Sequence, residues 1–175
     1  MVTAGEKPVV LMGFMGSGKS TLGKQLASIM GWSFTDLDRS IENQEKRSIP
    51  QIFEQEGEPA FRKLESALLK KNLEKKNCII AIGGGAPCQP GNIELIREKS
   101  VSVYLKVSIP QLVSRLASSA TPRPLLKGKS APEIRIFITE LLKAREPYYN
   151  QADIILESDE ITAGRILLEL KKGNP

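Results

Sequence analysis

Gly13-Phe14-Met15-Gly16-Ser17-Gly18-Lys19-Ser20 decides the fold, because it has the G-x-x-x-x-G-K-S form of a loop that wraps the phosphates of a nucleotide. Such wrapping needs backbone that can take positive φ and turn its N–H groups inward, which Gly13, Gly16 and Gly18 allow without a Cβ clash. Lys19 adds a point charge for the β- and γ-phosphates, and Ser20 offers a hydroxyl to Mg²⁺. A helix beginning here aims its dipole and its unpaired N–H groups at the same anion. The flanks agree: Val9–Met12 reads as a short buried strand, and Leu22, Leu26, Ile29 and Met30 follow at helical spacing. Strand, loop and helix in that order imply binding of ATP or GTP.

Strand-like and helix-like segments alternate through the rest of the chain, which predicts an α/β fold with a parallel sheet between helices. Residues 32–38 read as a second strand ending in Asp36 and Asp38, two positions apart and therefore on one face, with Cα atoms about 6.5 Å apart. Residues 78–82 form a third, running into Gly83-Gly84-Gly85, and residues 101–105 and 153–156 complete a five-stranded sheet. Ser-Ile-Pro-Gln occurs at 48–51 and again at 108–111, each a capping box with proline in the first helical turn. The first opens a short helix with Ile49, Ile52 and Phe53 inward, stopped by Gly57. From Glu58 a second helix buries Phe61, Leu64, Leu68 and Leu69, while Ile134, Phe137, Ile138 and Leu141 mark a later helix that Pro147 is expected to break. Residues 39–73 thus interrupt the βα alternation with helices alone, as an inserted substrate-binding element within a single domain spanning 1–175.

Composition narrows the chemistry. The 175 residues suit one domain with a full core. No apolar run nears the roughly 20 residues that span a bilayer, and the first residues lack the apolar centre of a signal peptide, so no membrane association and a cytoplasmic place are expected. Cys78 and Cys88 lack metal or redox spacing and are expected to stay reduced. With no histidine, any general base must be a carboxylate, a lysine or water. The net charge of +5 is spread among acids, and aromatic residues make up only 5%, too few for a base-stacking platform. No nucleic-acid partner is expected, the positive field serving anionic ligands instead.

A phosphate-loop enzyme commonly sets an aspartate beside Mg²⁺ at the end of a second strand, and residues 78–82 carry none. That leaves Asp36 for the metal shell and Asp38 for the acceptor hydroxyl, against the plainer alternative that Asp38 caps the next helix. Arg62 can pair with Glu58 or Glu65 for about 0.2–0.5 kcal/mol. Arg145 lies close to a buried stripe, where an arginine calls for an anionic partner. Arg123 falls in a loop rich in proline and small residues, a candidate lid over about 118–130 that would carry a guanidinium to the transferring phosphoryl.

Taken together and in order, several motifs resemble the shikimate kinase family. They are the phosphate loop, Asp36-Leu37-Asp38, Ser48-Ile49 with Ile52-Phe53, Gly57-Glu58 with Phe61-Arg62 and Glu65, Gly83-Gly84-Gly85-Ala86, Arg123-Pro124-Leu125-Leu126, and Arg145-Glu146-Pro147 with Tyr149. The resemblance implies a monomeric three-layer P-loop kinase that phosphorylates the 3-hydroxyl of shikimate with ATP and Mg²⁺, in the route to chorismate and the aromatic amino acids. It implies that Asp38, Arg62, Gly84 and Arg145 bind shikimate, with Gly83 and Gly85 beside Gly84 and both arginines on the carboxylate. It likewise implies that Gly16, Ser17, Gly18, Lys19, Ser20 and Thr21 bind ATP, with Ser20 and Asp36 serving the metal and Lys19, Asp38 and Arg123 the transfer. One departure concerns adenine: the family's stacking arginine, seven positions before the lid arginine, is Leu116 here, with Arg115 next to it. The nearest alternative is another small-molecule P-loop kinase, such as a gluconate kinase.

Overall fold

In the computed structural model, which describes residues 7–118, 126 and 128–172, β1 (Val9–Met12) is apolar and buried along its whole length. That is the pattern of a strand covered on both faces. Val9 and Leu11 join an apolar cluster with Leu22 and Leu26 of α1 (Lys19–Met30) and Ile166 of α7 (Ala163–Lys172). Val10 and Met12, facing the other way, join Leu69 of α3 (Ile49–Leu73), Ile96 of α4 (Asn92–Lys99) and Ile138 of α6 (Ala131–Tyr149). The sheet is therefore the middle of three layers.

Its other strands are β2 (Ser33–Asp36), β3 (Cys78–Ala81), β4 (Val101–Lys106) and β5 (Ile154–Glu157). All pairings are parallel, in the order β2-β3-β1-β4-β5. This is the five-stranded parallel sheet the sequence predicts. Since β1 lies between β3 and β4, the chain leaves it toward one edge of the sheet and later crosses to the other. The crevice at the carboxyl ends of the strands, where open α/β sheets take ligands, consequently opens directly after β1.

Local departures from the sequence reading have physical causes. The second strand stops at Asp36, not Asp38, because Asp36 caps α2 (Leu37–Glu45) by accepting from the Arg39 N–H, with Leu37 buried in the first turn. Asp38 thus stands on a helix and is neither a strand residue nor the cap. Gly57 does end one helical segment and begin another: at φ 81°, ψ 168° it kinks α3, and Pro59 then falls in a first turn, where its missing N–H costs little. On the second segment the buried position is Glu65, with Leu64 half-buried. The Ser48 box is complete, but at α5 (Ile109–Ala117) the carboxylate of Asp159, not Gln111, takes the Ser108 N–H at 2.9 Å. A charged acceptor competes well with a side-chain amide. Ile29 is exposed, and Gly23 and Ala27 turn inward in its place.

Pro147 does not stop α6, which runs on to Tyr149. Tyr149 is fully buried, packs its ring 5.0 Å from that of Tyr104 and donates to the Gly84 carbonyl, an anchorage that offsets the backbone bond the proline removes. Cys78 and Cys88 are both free thiols. Among the described residues no helix is long and apolar enough to cross a membrane. Residues 119–125 of the expected lid, Arg123 included, lie outside the described residues.

At Gly57 no neighbouring atom comes closer than 3.6 Å to where a Cβ would stand, so the glycine answers to its dihedral angles and not to crowding. Gly57→Ala should therefore destabilise the fold by about 1–3 kcal/mol despite alanine's better helix propensity. Chemical denaturation checks this, and a more stable variant would show that the kink is dispensable.

Candidate active site

The phosphate loop follows β1 into the crevice. Gly18 caps α1 at φ 94°, a left-handed conformation a side chain would resist, and so frees the first N–H groups of the helix to face outward. Lys19 folds back over the loop, its Nζ donating to the carbonyls of Gly13 at 2.8 Å and Phe14 at 2.9 Å. Before the loop lies a cleft of about 410 Å³, with Gly16, Gly18, Lys19, Ser20 and Thr21 along one side. Asp36, Asp38, Gly83 and Gly84 line the other. Ser17 is buried beneath the loop and does not reach this cleft.

Ser20 and Asp36 meet here, the hydroxyl donating to the carboxylate at 2.5 Å. A hydroxyl and a carboxylate oxygen side by side are hard donors suited to Mg²⁺, which keeps several waters and needs only one or two protein ligands. No cluster of three or more His, Cys, Asp or Glu that could cage a metal occurs among the described residues, so phosphate and water would complete the shell. Asp38, on the first turn of α2, faces the same cleft. Burial pushes its carboxyl above the ordinary range and the charge of Asp36 adds to this, while Lys19 opposes it.

Gly83-Gly84-Gly85 forms the wall behind Asp38. A Cβ on Gly83 would stand 2.7 Å from Glu65 Oε1 and 3.0 Å from Asp38 Oδ1. On Gly84 it would stand 2.9 Å from Arg145 Nη1, and on Gly85 2.7 Å from Arg62 Nη2. The strip is bare because these four side chains occupy the space. Arg62 and Arg145 thus come together over adjacent glycines, though neither lines the 410 Å³ cleft itself. Arg62 forms both of the pairs its helix offers, with Glu58 at 2.9 Å and Glu65 at 2.7 Å, and lies over the Phe61 ring. Arg145 lies 5.7 Å from the centre of the Phe14 ring, which ties it to the phosphate loop.

Glu65 enters the sequence analysis as a candidate partner of Arg62, a pair the structure forms, and not as a site residue. It is 1% exposed, and Oε1 has no hydrogen-bond partner. Burial raises its pKa, Arg62 pulls it down in part, and Asp38 raises it. The signal lay in the pattern: Phe61, Glu65, Leu68 and Leu69 share one helix face, and an acid stands where an apolar residue belongs. Arg115 is the arginine noted beside Leu116, the position at which the sequence departs from the family pattern. Leu116 is buried against the loop, whereas Arg115 donates to the carbonyls of Gly16 at 3.1 Å and Asp159 at 2.8 Å. It borders a second cavity of about 290 Å³ on the far side of the loop, with Val107 and Ile161.

Fold and phosphate loop define a P-loop kinase. The family model for shikimate kinase matches residues 15–172. A shikimate kinase of Parabacteroides distasonis is 43% identical over 155 residues, which cover 89% of this chain and 90% of that one. The crystal structure of shikimate kinase from Bacteroides thetaiotaomicron superposes with a TM-score of 0.89 at 36% identity, covering 94% of this chain and 98% of that one. Shikimate kinase from Acinetobacter baumannii in complex with shikimate does so with a TM-score of 0.88 at 32% identity, covering 98% and 97%. The chain belongs to the shikimate kinase family, phosphotransferases that act on an alcohol group with ATP as co-substrate. The gluconate kinase alternative is not favoured.

Asp38→Asn should stabilise the fold at neutral pH. Because the folded carboxyl holds its proton above the ordinary range, the contribution of Asp38 to stability is most favourable in acid and is lost as pH rises from that range through the raised value. Urea melts across this window should show native protein and variant converging in acid and the variant ahead at neutral pH. A native protein as stable as the variant at every pH would contradict the burial of this charge.

Proposed function

We propose that these residues transfer the γ-phosphoryl of ATP to the 3-hydroxyl of shikimate, giving shikimate 3-phosphate and ADP. The observation that carries this reading is the arrangement around Gly83-Gly84-Gly85: two guanidiniums over Gly84 and Gly85, and Asp38 over Gly83 facing the phosphate loop across one cleft. A small acid gripped at one end of the strip would present an alcohol at the other.

Gly16 to Thr21 hold the nucleotide phosphates through loop N–H groups and the start of α1. Lys19 exchanges the loop carbonyls it now bonds for phosphate oxygens. Val107, Arg115 and Ile161 border the cavity suited to the adenine end. Asp38 accepts a hydrogen bond from the reacting hydroxyl, orients it and takes its proton as the new O–P bond forms. In a loose phosphoryl-transfer transition state this orientation counts for more than basicity. Ser20 and Asp36 would hold Mg²⁺, which when bound neutralises charge on the phosphates. Arg145 and Arg62 bind the substrate carboxylate, with the N–H groups of the glycine strip beside them. The helices of 39–73 supply Asp38's continuation and Arg62, acting as the substrate-binding element of a single-domain monomer, and Arg123 serves as the lid arginine.

A coupled ADP-release assay with shikimate, ATP and Mg²⁺ tests the reaction, and no nucleotide consumption would overturn it. Lys19→Met should abolish turnover with the fold intact by circular dichroism. Arg145→Ala should weaken shikimate binding by about 2–4 kcal/mol, the cost of leaving a desolvated charge unpaired, as read by calorimetric titration in the presence of ADP. An unchanged dissociation constant would remove Arg145 from the site.

A further inference from the structure

The wall of the site depends on a hydrogen bond from far along the chain. The Gly83 carbonyl accepts from the Ala86 N–H at 3.1 Å, and that of Gly85 from the Cys88 N–H at 3.2 Å and from Gln89 Nε2 at 3.3 Å. Both are local contacts of the turn itself. The Gly84 carbonyl has no such partner and is held instead by the hydroxyl of Tyr149, at 2.5 Å and 65 residues away. With all three carbonyls engaged, the N–H groups of Gly83, Gly84 and Gly85 have no hydrogen bond to another described residue.

A peptide between two glycines has little of its own to fix its plane. Because a trans peptide points its C=O and the following N–H in opposite directions, holding the Gly84 oxygen also fixes the direction of the Gly85 N–H. The same hydroxyl lies beside Arg145: Tyr149 Oη and Arg145 Nη1 are 3.2 and 2.9 Å from where a Gly84 Cβ would stand. Burial keeps the phenol protonated, so it remains a donor throughout the neutral range. Its ring is itself wedged, fully buried, against Tyr104.

From this arrangement we infer that Tyr149 is a positioning residue for the acidic substrate: its hydroxyl sets the Gly84–Gly85 peptide, and with it the direction of the Gly85 N–H in the strip that Arg62 and Arg145 share. This rests on the reading under Proposed function. Tyr149 touches neither the phosphate loop's cleft nor the reacting atoms. Its loss should accordingly appear in the affinity for the acid and not in nucleotide binding.

Tyr149→Phe keeps the ring and removes only the donor, and Tyr149→Leu removes both. Steady-state kinetics with each substrate and thermal melting should be measured for the pair, with Arg145→Ala and Tyr104→Phe alongside. Tyr149→Phe should melt near the native protein and raise the shikimate KM about tenfold, with the ATP KM within about twofold and kcat down less than about threefold. Tyr149→Leu should show the same shikimate defect and a lower melting temperature, and Tyr104→Phe a native shikimate KM. Should Tyr149→Phe not fold, fluorotyrosine at position 149, which keeps the shape and alters donor strength, gives the same readout. An unchanged shikimate KM in Tyr149→Phe, or equal rises for shikimate and ATP, would overturn the inference. If native protein turns over shikimate and Arg145→Ala is impaired while Tyr149→Phe is not, this inference alone fails. If native protein does not turn over shikimate, the substrate reading and this inference fail together.

Discussion

The bareness of residues 83–85 governs the site. Asp38, Glu65, Arg62 and Arg145 come from three different helices, and each reaches within about 3 Å of the space a Cβ would fill on one of these glycines. Any side chain there would displace at least one charged group from the wall. Displacing Glu65 is especially costly, since it sits 1% exposed against Arg62. The strip thus fixes how closely α2, α3 and α6 may approach the end of β3. In turn that approach sets the shape of the wall behind the cleft.

The sheet supplies the other half of the constraint. With β1 between β3 and β4, the loop after β1 and the glycines after β3 emerge side by side at the carboxyl edge. Register then brings the two together: Leu11 pairs with Ala81, and the next residue, Ile82, donates back to the Leu11 carbonyl. The phosphate loop and the glycine wall need no further device to face each other. The Phe14 ring under Arg145 adds a direct contact between loop and wall.

The sequence made the sheet and the phosphate loop legible because each rests on local chemistry: continuous apolar runs for strands, and glycines with lysine and serine at fixed spacing for the loop. It misled where a tertiary contact outvoted a local rule. Asp36 and Asp38 read as one extended face, but burial of Leu37 and the cap on the Arg39 N–H begin a helix between them, and the two acids still reach one cleft by another geometry. Pro147 read as a stop, yet the helix continues because Tyr149 is anchored beneath Gly84. Counting back from Arg123 reaches Leu116 with Arg115 next to it but does not tell how they face, and α5 brings the Arg115 guanidinium to the Gly16 carbonyl while burying Leu116 beneath the loop. Such facings depend on what the helix packs against, which spacing alone does not encode.

The two arginines over the strip are not equivalent. Arg62 already has Glu58 and Glu65 as partners, with Nε, Nη1 and Nη2 all engaged. Its charge is balanced before any ligand arrives, and its remaining N–H groups can still direct an oxygen. Arg145 has no carboxylate within 4.0 Å among the described residues, and its neighbours are an aromatic ring, a phenol and glycine backbone. On the proposed reading an incoming carboxylate would therefore meet net positive charge at Arg145, while Arg62, steadied by a buried acid, would contribute direction more than attraction. Glu65 reinforces this division, since its buried carboxyl stands with that of Asp38 at the Gly83 end of the strip, away from Arg145's contact at Gly84. On the proposed reading, charge would orient the substrate along the glycines, acid group toward Arg145 and alcohol toward Asp38, before any contact with the nucleotide is made.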